Sequence, residues 1–157
     1  MTEKKPITGG CQCGAVRYAI EGMLENPHIC HCRMCQKAFG NYFATLVTTQ
    51  KNNLVWTRGE PGFFRSSSIV KRGYCRDCGT PLSVSDDDSE RISISIGSLD
   101  DPDIVIPGKQ FGMEARRPAF SRLHALPGSR TEDETSAERL AKYKSLQHPD
   151  HDTEHWP

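Results

Sequence analysis

RISISIG, residues 91–97, places Ile92, Ile94 and Ile96 at every second position, with serine or glycine around them. In extended chain, side chains at i, i+2 and i+4 share one face, so the stretch reads as a β-strand with one apolar face buried. Similar short runs rich in Val, Ile, Thr and aromatics lie upstream: AVRYAI, YFATLVTT, NLVW and GFFRSS. Turn-forming clusters such as RGEPG, SDDDSE and LDDPD break the pattern between and after them. Residues 8–108 are therefore expected to be mainly β. SDDDSE lacks the glycine and the distal glutamate of a calcium loop and reads as a solvated turn.

The character changes after Pro127. PGSRTEDETSAERLAKYKSL is charged, offers Thr131 or Thr135 as an N-cap, and puts Ala137, Leu140, Ala141 and Lys144 on one side. That predicts a short, solvent-facing helix. The closing HPDHDTEHWP, with His148, His151 and His155, reads as a polar, mobile terminus rather than a metal site. The expected division is one domain over residues 1–127 and a charged C-terminal extension over 128–157.

Bulk composition narrows the function classes. The 157 residues suit one domain with a core of its own. Lysine plus arginine equal aspartate plus glutamate at 20 each, which leaves no long-range field to attract nucleic acid or an anionic membrane. No stretch approaches the roughly 20 apolar residues that span a bilayer. The polar start, MTEKKPITGG, lacks the apolar run of a signal peptide. A cytoplasmic location is expected, where thiols stay reduced and clustered cysteines favour metal over disulfides.

All seven cysteines fall into three tight groups: Cys11 and Cys13, then Cys30, Cys32 and Cys35, then Cys75 and Cys78. An odd number in such close groups fits metal better than a disulfide framework. YCRDCG has the shape of a zinc knuckle, with Gly79 supplying a positive φ after the second sulfur. It needs two more ligands. If GGCQCGAVRY is extended at its cysteines, Cys11 and Cys13 share a face and can grip the same ion. Together the four would close a tetrahedral, structural site. The alternatives are reduced buried thiols, or a redox C-x-x-C, for which no βαβ context is present.

ICHCRMCQKAFG, residues 29–40, holds the remaining three. Cys30 and Cys32 share a face if extended, and one helical turn through MCQKAFG swings Cys35 back to them. His31 would then point away. Three thiolates without a fourth partner form an open site, and the vacancy suits water or a soft substrate thiolate. The rivals are weak metal binding, or one of the three acting as a free nucleophile.

In that order, GGCQCGAVRY, CHCRMCQKAFG and RGYCRDCGTPL resemble the signature segments of the glutathione-dependent formaldehyde-activating enzyme family, also called the centromere protein V/GFA domain family. WTRGEPGFFRSS and IGSLDDPD add to the resemblance, which covers residues 8–125 and fades from FGMEARRPAF onward. It implies a β-tent fold of short antiparallel sheets around zinc. It also implies two zincs per chain: a structural ion on Cys11, Cys13, Cys75 and Cys78, and a catalytic ion, more easily lost, on Cys30, Cys32 and Cys35.

The implied function is that of a zinc-dependent carbon–sulfur lyase acting on glutathione or a related thiol adduct, of the S-hydroxymethylglutathione synthase type. The alternative is a non-catalytic carrier or sensor of zinc or glutathione. A structural chromatin role, as in the family's centromere-associated relatives, ranks last because the chain carries no basic extension. Glutathione has two carboxylates, so Arg33 and Lys37 beside the triplet, with Arg116 and Arg117, are candidate contacts if they are not simply solvated charges. Phe39, Phe43 and Trp56 are expected to pack the core.

Overall fold

The computed structural model describes residues 5–156 and arranges ten strands in two sheets, with three short α-helices. The mainly β expectation holds. The smaller sheet runs in the order β1 (Ile7–Gly10), β2 (Arg17–Ile20), β5 (Leu54–Arg58) and is antiparallel. The larger has seven strands, starting with β10 (Lys109–Phe111), β3 (Glu25–Cys30), β4 (Ala44–Gln50) and β9 (Arg91–Ser95). It continues through β8 (Pro81–Asp86), β7 (Val70–Tyr74) and β6 (Gly62–Arg65). Among the described residues, only β10, laid along β3, pairs in parallel.

RISISIG supplies β9, with Ile96 falling just beyond it in a 3-10 turn. Its three isoleucines are buried with Val16, Tyr18, Ile20, Val47, Leu82 and Leu99 in a core drawn from both sheets. At about 1.5–3 kcal/mol for each fully buried side chain of this size, the stripe is a principal source of cohesion between the sheets.

The serine face of β9 departs from the expectation, because it is covered too. Ser95 is 6% exposed, and the Ser93 and Thr48 hydroxyls lie 3.1 Å apart. The cause is a second layer on that side of the large sheet. Helix α1 (Arg33–Phe39) follows β3, and Cys30, Cys35, Ala44 and Leu46 cluster there against Cys32, Phe39 and Val84. Successive strand residues point to opposite faces, so Leu46 serves this cluster while Val47 serves the main core. A bulge where Gly73 pairs with Ser83 but Tyr74 with Pro81 turns Leu82 into the main core and leaves Val84 on the other side. The cysteine groups divide the same way: Cys11 and Cys75 border the main core, whereas Cys30 and Cys35 lie behind the sheet.

The C-terminal extension differs from expectation in two respects. The helix is broken into α2 (Thr131–Glu134) and α3 (Ala137–Lys142), because Thr135 is extended and the second piece is capped by Ser136 rather than either threonine. The Ser136 hydroxyl accepts from the Arg139 N–H at 3.3 Å. The tail, expected to be mobile, returns to the domain. His148 is 3% exposed, its N–H donates to the Gln12 carbonyl at 2.8 Å, and its ring meets Trp156 edge-on at 5.0 Å. Asp152 accepts from Arg17 at 2.6 Å, and Arg58 donates to the Thr153 carbonyl and hydroxyl. The docking surface is made by Gly14, where an added Cβ would stand 2.4 Å from His148, and by arginines on two neighbouring strands. Among the described residues, none of His148, His151 and His155 joins a metal-ligating group.

Candidate metal centres

The first centre sits where two hairpins meet. Cys11 and Cys13 occupy the turn between β1 and β2, which corrects the expectation that they lie on extended chain. The turn is closed by the Gly14 N–H donating to the Cys11 carbonyl at 3.1 Å, with Gly14 at φ +76°. It turns both sulfurs the same way by a different route, leaving them 3.5 Å apart. Cys75 and Cys78 occupy the turn from β7 to β8, with Gly79 at the positive φ its position suggested. The Gly79 N–H donates to the Cys75 carbonyl at 3.0 Å, and the Cys75 N–H to the Thr80 carbonyl at 2.9 Å.

All four sulfurs lie within 4.8 Å of one another, and those of Cys13 and Cys75, 62 residues apart, are separated by 3.7 Å. A tetrahedral ion with metal–sulfur bonds of about 2.3 Å, the length for zinc, requires sulfur–sulfur edges of about 3.8 Å. The four thiols therefore stand close to the positions that such an ion demands. Donors already surround them. The Val16 N–H reaches the Cys11 sulfur at 3.2 Å. The Thr80 hydroxyl accepts from the Gln12 N–H at 3.1 Å and lies 3.1 Å from the Cys78 sulfur. Burial, outweighing the Ala15 amide, pushes the Cys13 thiol up to about 12. Against burial, Thr80 and neighbouring amides and thiols draw Cys78 down to about 6. Crowded thiols thus resist ionising together, and a bound cation would remove that resistance.

The second centre is built on β3 and α1. Cys30 ends the strand, Cys32 is the N-cap of the helix, and Cys35 lies in its first turn. The Cys35 N–H donates to the Cys32 sulfur at 3.3 Å, so the cap and the cysteine cluster are one arrangement. The three sulfurs lie within 4.8 Å of one another, and no His, Asp or Glu among the described residues joins them. His31 is directed elsewhere, as expected: its Nε2 is 2.9 Å from the Gln110 amide oxygen, and Phe120 meets its ring edge-on. Cys30 is pushed up, first by its hydrogen bond with Cys35 and then by burial. Cys35 is held down at about 5 by that same bond and, against burial, by Arg72.

Arg72 and Gln36 complete this centre, and the sequence reading passed over both. Arg72, in β7, is 4% exposed and its Nη2 donates to the Cys35 sulfur at 3.4 Å. A signal existed in VKRGY. Neighbouring strand residues face opposite ways, so in a sheet covered on both sides Lys71 and Arg72 cannot both reach solvent. Gln36 is 3% exposed and ties the helix to the chain around it. Its amide nitrogen donates to the His31 carbonyl at 2.6 Å and to the Ala115 carbonyl at 2.9 Å, and its oxygen accepts from Arg33.

Three of the four candidate basic contacts come together. Arg33, Lys37 and Arg117, with Gln36, Gly40, Asn41 and Tyr42, line an open depression of about 530 Å³ over α1. Arg116 is turned aside, its guanidinium stacked 4.8 Å over the Phe120 ring and bonded to the Ser121 hydroxyl. The aromatic residues pack. Phe39 covers the triplet, Phe43 meets Phe120 edge-on at 5.2 Å, and Trp56 does the same to Tyr18 at 5.7 Å.

A curated protein from Schizosaccharomyces pombe, named an uncharacterized lyase, is 33% identical over 76 residues. That match covers 47% of this chain, and the chain spans about half (53%) of that relative's length. A crystal structure of a Rhodobacter sphaeroides protein superposes with a TM-score of 0.54 over 66% of this chain and 99% of its own. At 23% identity it supports the fold alone. The model of one family, described as glutathione-dependent formaldehyde-activating enzyme, matches residues 6–114, well over half of the chain. The chain belongs to the glutathione-dependent formaldehyde-activating enzyme family.

Proposed function

We propose that the protein is a zinc-dependent carbon–sulfur lyase that joins glutathione, or a related anionic thiol, to a small carbonyl compound, and cleaves the adduct in reverse. The observation that carries this reading is the division of seven cysteines into a set of four and a set of three on opposite sides of one sheet. Four thiolates close a tetrahedron and leave no place for chemistry, so the first centre is assigned a structural zinc; three leave one position open. Family membership and the lyase name of the yeast relative support the reaction class.

A zinc ion held by Cys30, Cys32 and Cys35 would act as a Lewis acid that keeps a fourth, substrate thiol in its thiolate form at neutral pH. The remaining work falls to the chain. Cys35 and Cys32 are fixed by the first turn of α1, and Gln36 clamps that turn to the chain at His31 and Ala115. Arg33 and Lys37 from α1, with Arg117 from a later segment, offer three cations around one depression, where the carboxylates of a thiol such as glutathione would be held. In the reaction the thiol sulfur forms a bond to the carbonyl carbon. The carbon–oxygen π pair moves to oxygen, and the proton given up by the thiol ends on that oxygen. The addition is inherently easy, so orientation and a ready thiolate suffice as catalysis.

The test is to mix the zinc-loaded protein with glutathione and formaldehyde and follow adduct formation by NMR exchange. Exchange faster than in buffer is expected. Tight glutathione binding with no acceleration would leave a carrier or sensor in place of an enzyme.

A further inference from the structure

Arg72 has an environment that packing alone does not require. It lies on the covered side of the large sheet, in the register row Arg72–Val84–Ser93–Thr48, and is 4% exposed. Two of its three guanidinium nitrogens are accounted for: Nε donates to the Ser66 hydroxyl at 3.0 Å, and Nη2 to the Cys35 sulfur at 3.4 Å. Nη1 is buried and has no acceptor among the described residues. A buried donor of a charged group left unmet is unfavourable, because its hydration is lost without replacement. No carboxylate pairs with this guanidinium among the described residues, although buried arginines ordinarily have such a partner. The group bonded to it that can carry a negative charge is the Cys35 sulfur.

Three thiolates exceed a divalent ion by one negative charge, and a fourth anionic ligand would have to enter against that excess. A fixed guanidinium beside Cys35 cancels it and retains one free donor. We propose that Arg72 is the specificity-determining residue of the three-cysteine centre, balancing its charge so that the fourth ligand is an anionic thiolate rather than a neutral donor. The role rests on the reading that the triplet holds a metal with one open position; it does not depend on which carbonyl compound is used or on turnover. A lysine at this place would supply the charge without the forked pair of donors.

The experiment uses the full-length protein loaded with cobalt(II) in place of zinc. Its visible difference spectrum is titrated separately with 2-mercaptoethanol and with imidazole. Neither ligand carries a carboxylate, so the basic depression over α1 does not enter. In Arg72→Gln, the affinity for 2-mercaptoethanol should fall at least about tenfold, the scale of one lost charge-assisted bond, while that for imidazole changes less than about threefold. Arg72→Lys should lose about threefold for the thiol and nothing for imidazole. An unchanged thiol affinity, or an equal loss for both ligands, would overturn the assignment. If Arg72→Gln does not fold, Arg72→Lys decides by the same two criteria. Adduct formation is not measured, so a protein that keeps this ligand preference yet fails to accelerate the reaction sinks the catalytic reading and leaves the role of Arg72 standing.

Discussion

Replacing one cysteine from each centre should have opposite consequences for the fold. In Cys32→Ser the change falls at the N-cap of α1, a position where serine is among the preferred residues. The cap bond from the Cys35 N–H, now made to sulfur at 3.3 Å, passes to the serine oxygen. Cys32 is only partly buried, so the loss in folding free energy should stay within about 1 kcal/mol, while the second centre drops to two sulfurs. Cys78→Ser is different. The first centre ties the β1–β2 turn to the β7–β8 turn across 62 residues, with sulfurs already at near-tetrahedral spacing. Structural zinc in such sites is worth on the order of 10 kcal/mol, comparable to the entire net stability of a small domain. The assay is metal analysis of purified protein alongside thermal unfolding followed by circular dichroism. The expected result is one zinc and a near-normal melt for Cys32→Ser, and little folded protein for Cys78→Ser. Two zincs per chain in folded Cys32→Ser, or a native melt for Cys78→Ser, would refute the partition.

Other expectations concern the charges and the tail. Asp100 is held below the usual carboxylate range because, against burial, Arg17 and Thr8 hydrogen-bond to it. Its ionised form therefore adds stability above the unfolded aspartate value of about 3.9, and that contribution is lost as pH falls through the lower folded value. Asp100→Asn should flatten this acid limb in urea titrations run between pH 2 and 7; a parallel pH profile would count against it. Arg17→Met leaves Asp100, a mostly covered carboxylate, with Thr8 as its remaining side-chain partner and should cost up to about 3 kcal/mol at neutral pH, measured by urea unfolding. Gly14→Ala puts a Cβ 2.4 Å from His148 and 2.6 Å from Trp156 at a φ of +76°, so the tail should lift and become open to limited proteolysis after residue 146. Continued protection would mean the tail adjusts around the methyl group. Lys37→Ala with Arg117→Ala should raise the KM for glutathione several-fold, as loss of exposed charge contacts does, and leave that for 2-mercaptoethanol unaltered. An equal effect on both thiols would place the carboxylates elsewhere.

Local pattern carried much of this protein. The isoleucine alternation of RISISIG made a strand legible because a pleated chain repeats every two residues whatever it packs against. Cysteine spacing placed Cys75 and Cys78 in a glycine-closed turn, since a C-x-x-C turn followed by glycine leaves few other conformations. The same spacing set Cys35 one helical turn from Cys32. What depended on distant chain segments was not legible. Cys11 and Cys13 reach one ion from a turn rather than from extended chain, because Gly14 bends the backbone. Strand β3, interrupted by Pro27, and the parallel strand β10 lack the β-rich composition of the others, and pairing with neighbours decides them. Burial of Arg72 needs both a sheet covered on its second face and a thiol 37 residues away. Docking of the tail needs arginines on two strands and a glycine in a third segment. Which residues could bind metal was legible from the chain alone, since ligand chemistry and short-range spacing are local properties. Which charges stand beside those thiols emerged with folding, because a buried guanidinium and a returning tail are held by contacts that close long loops.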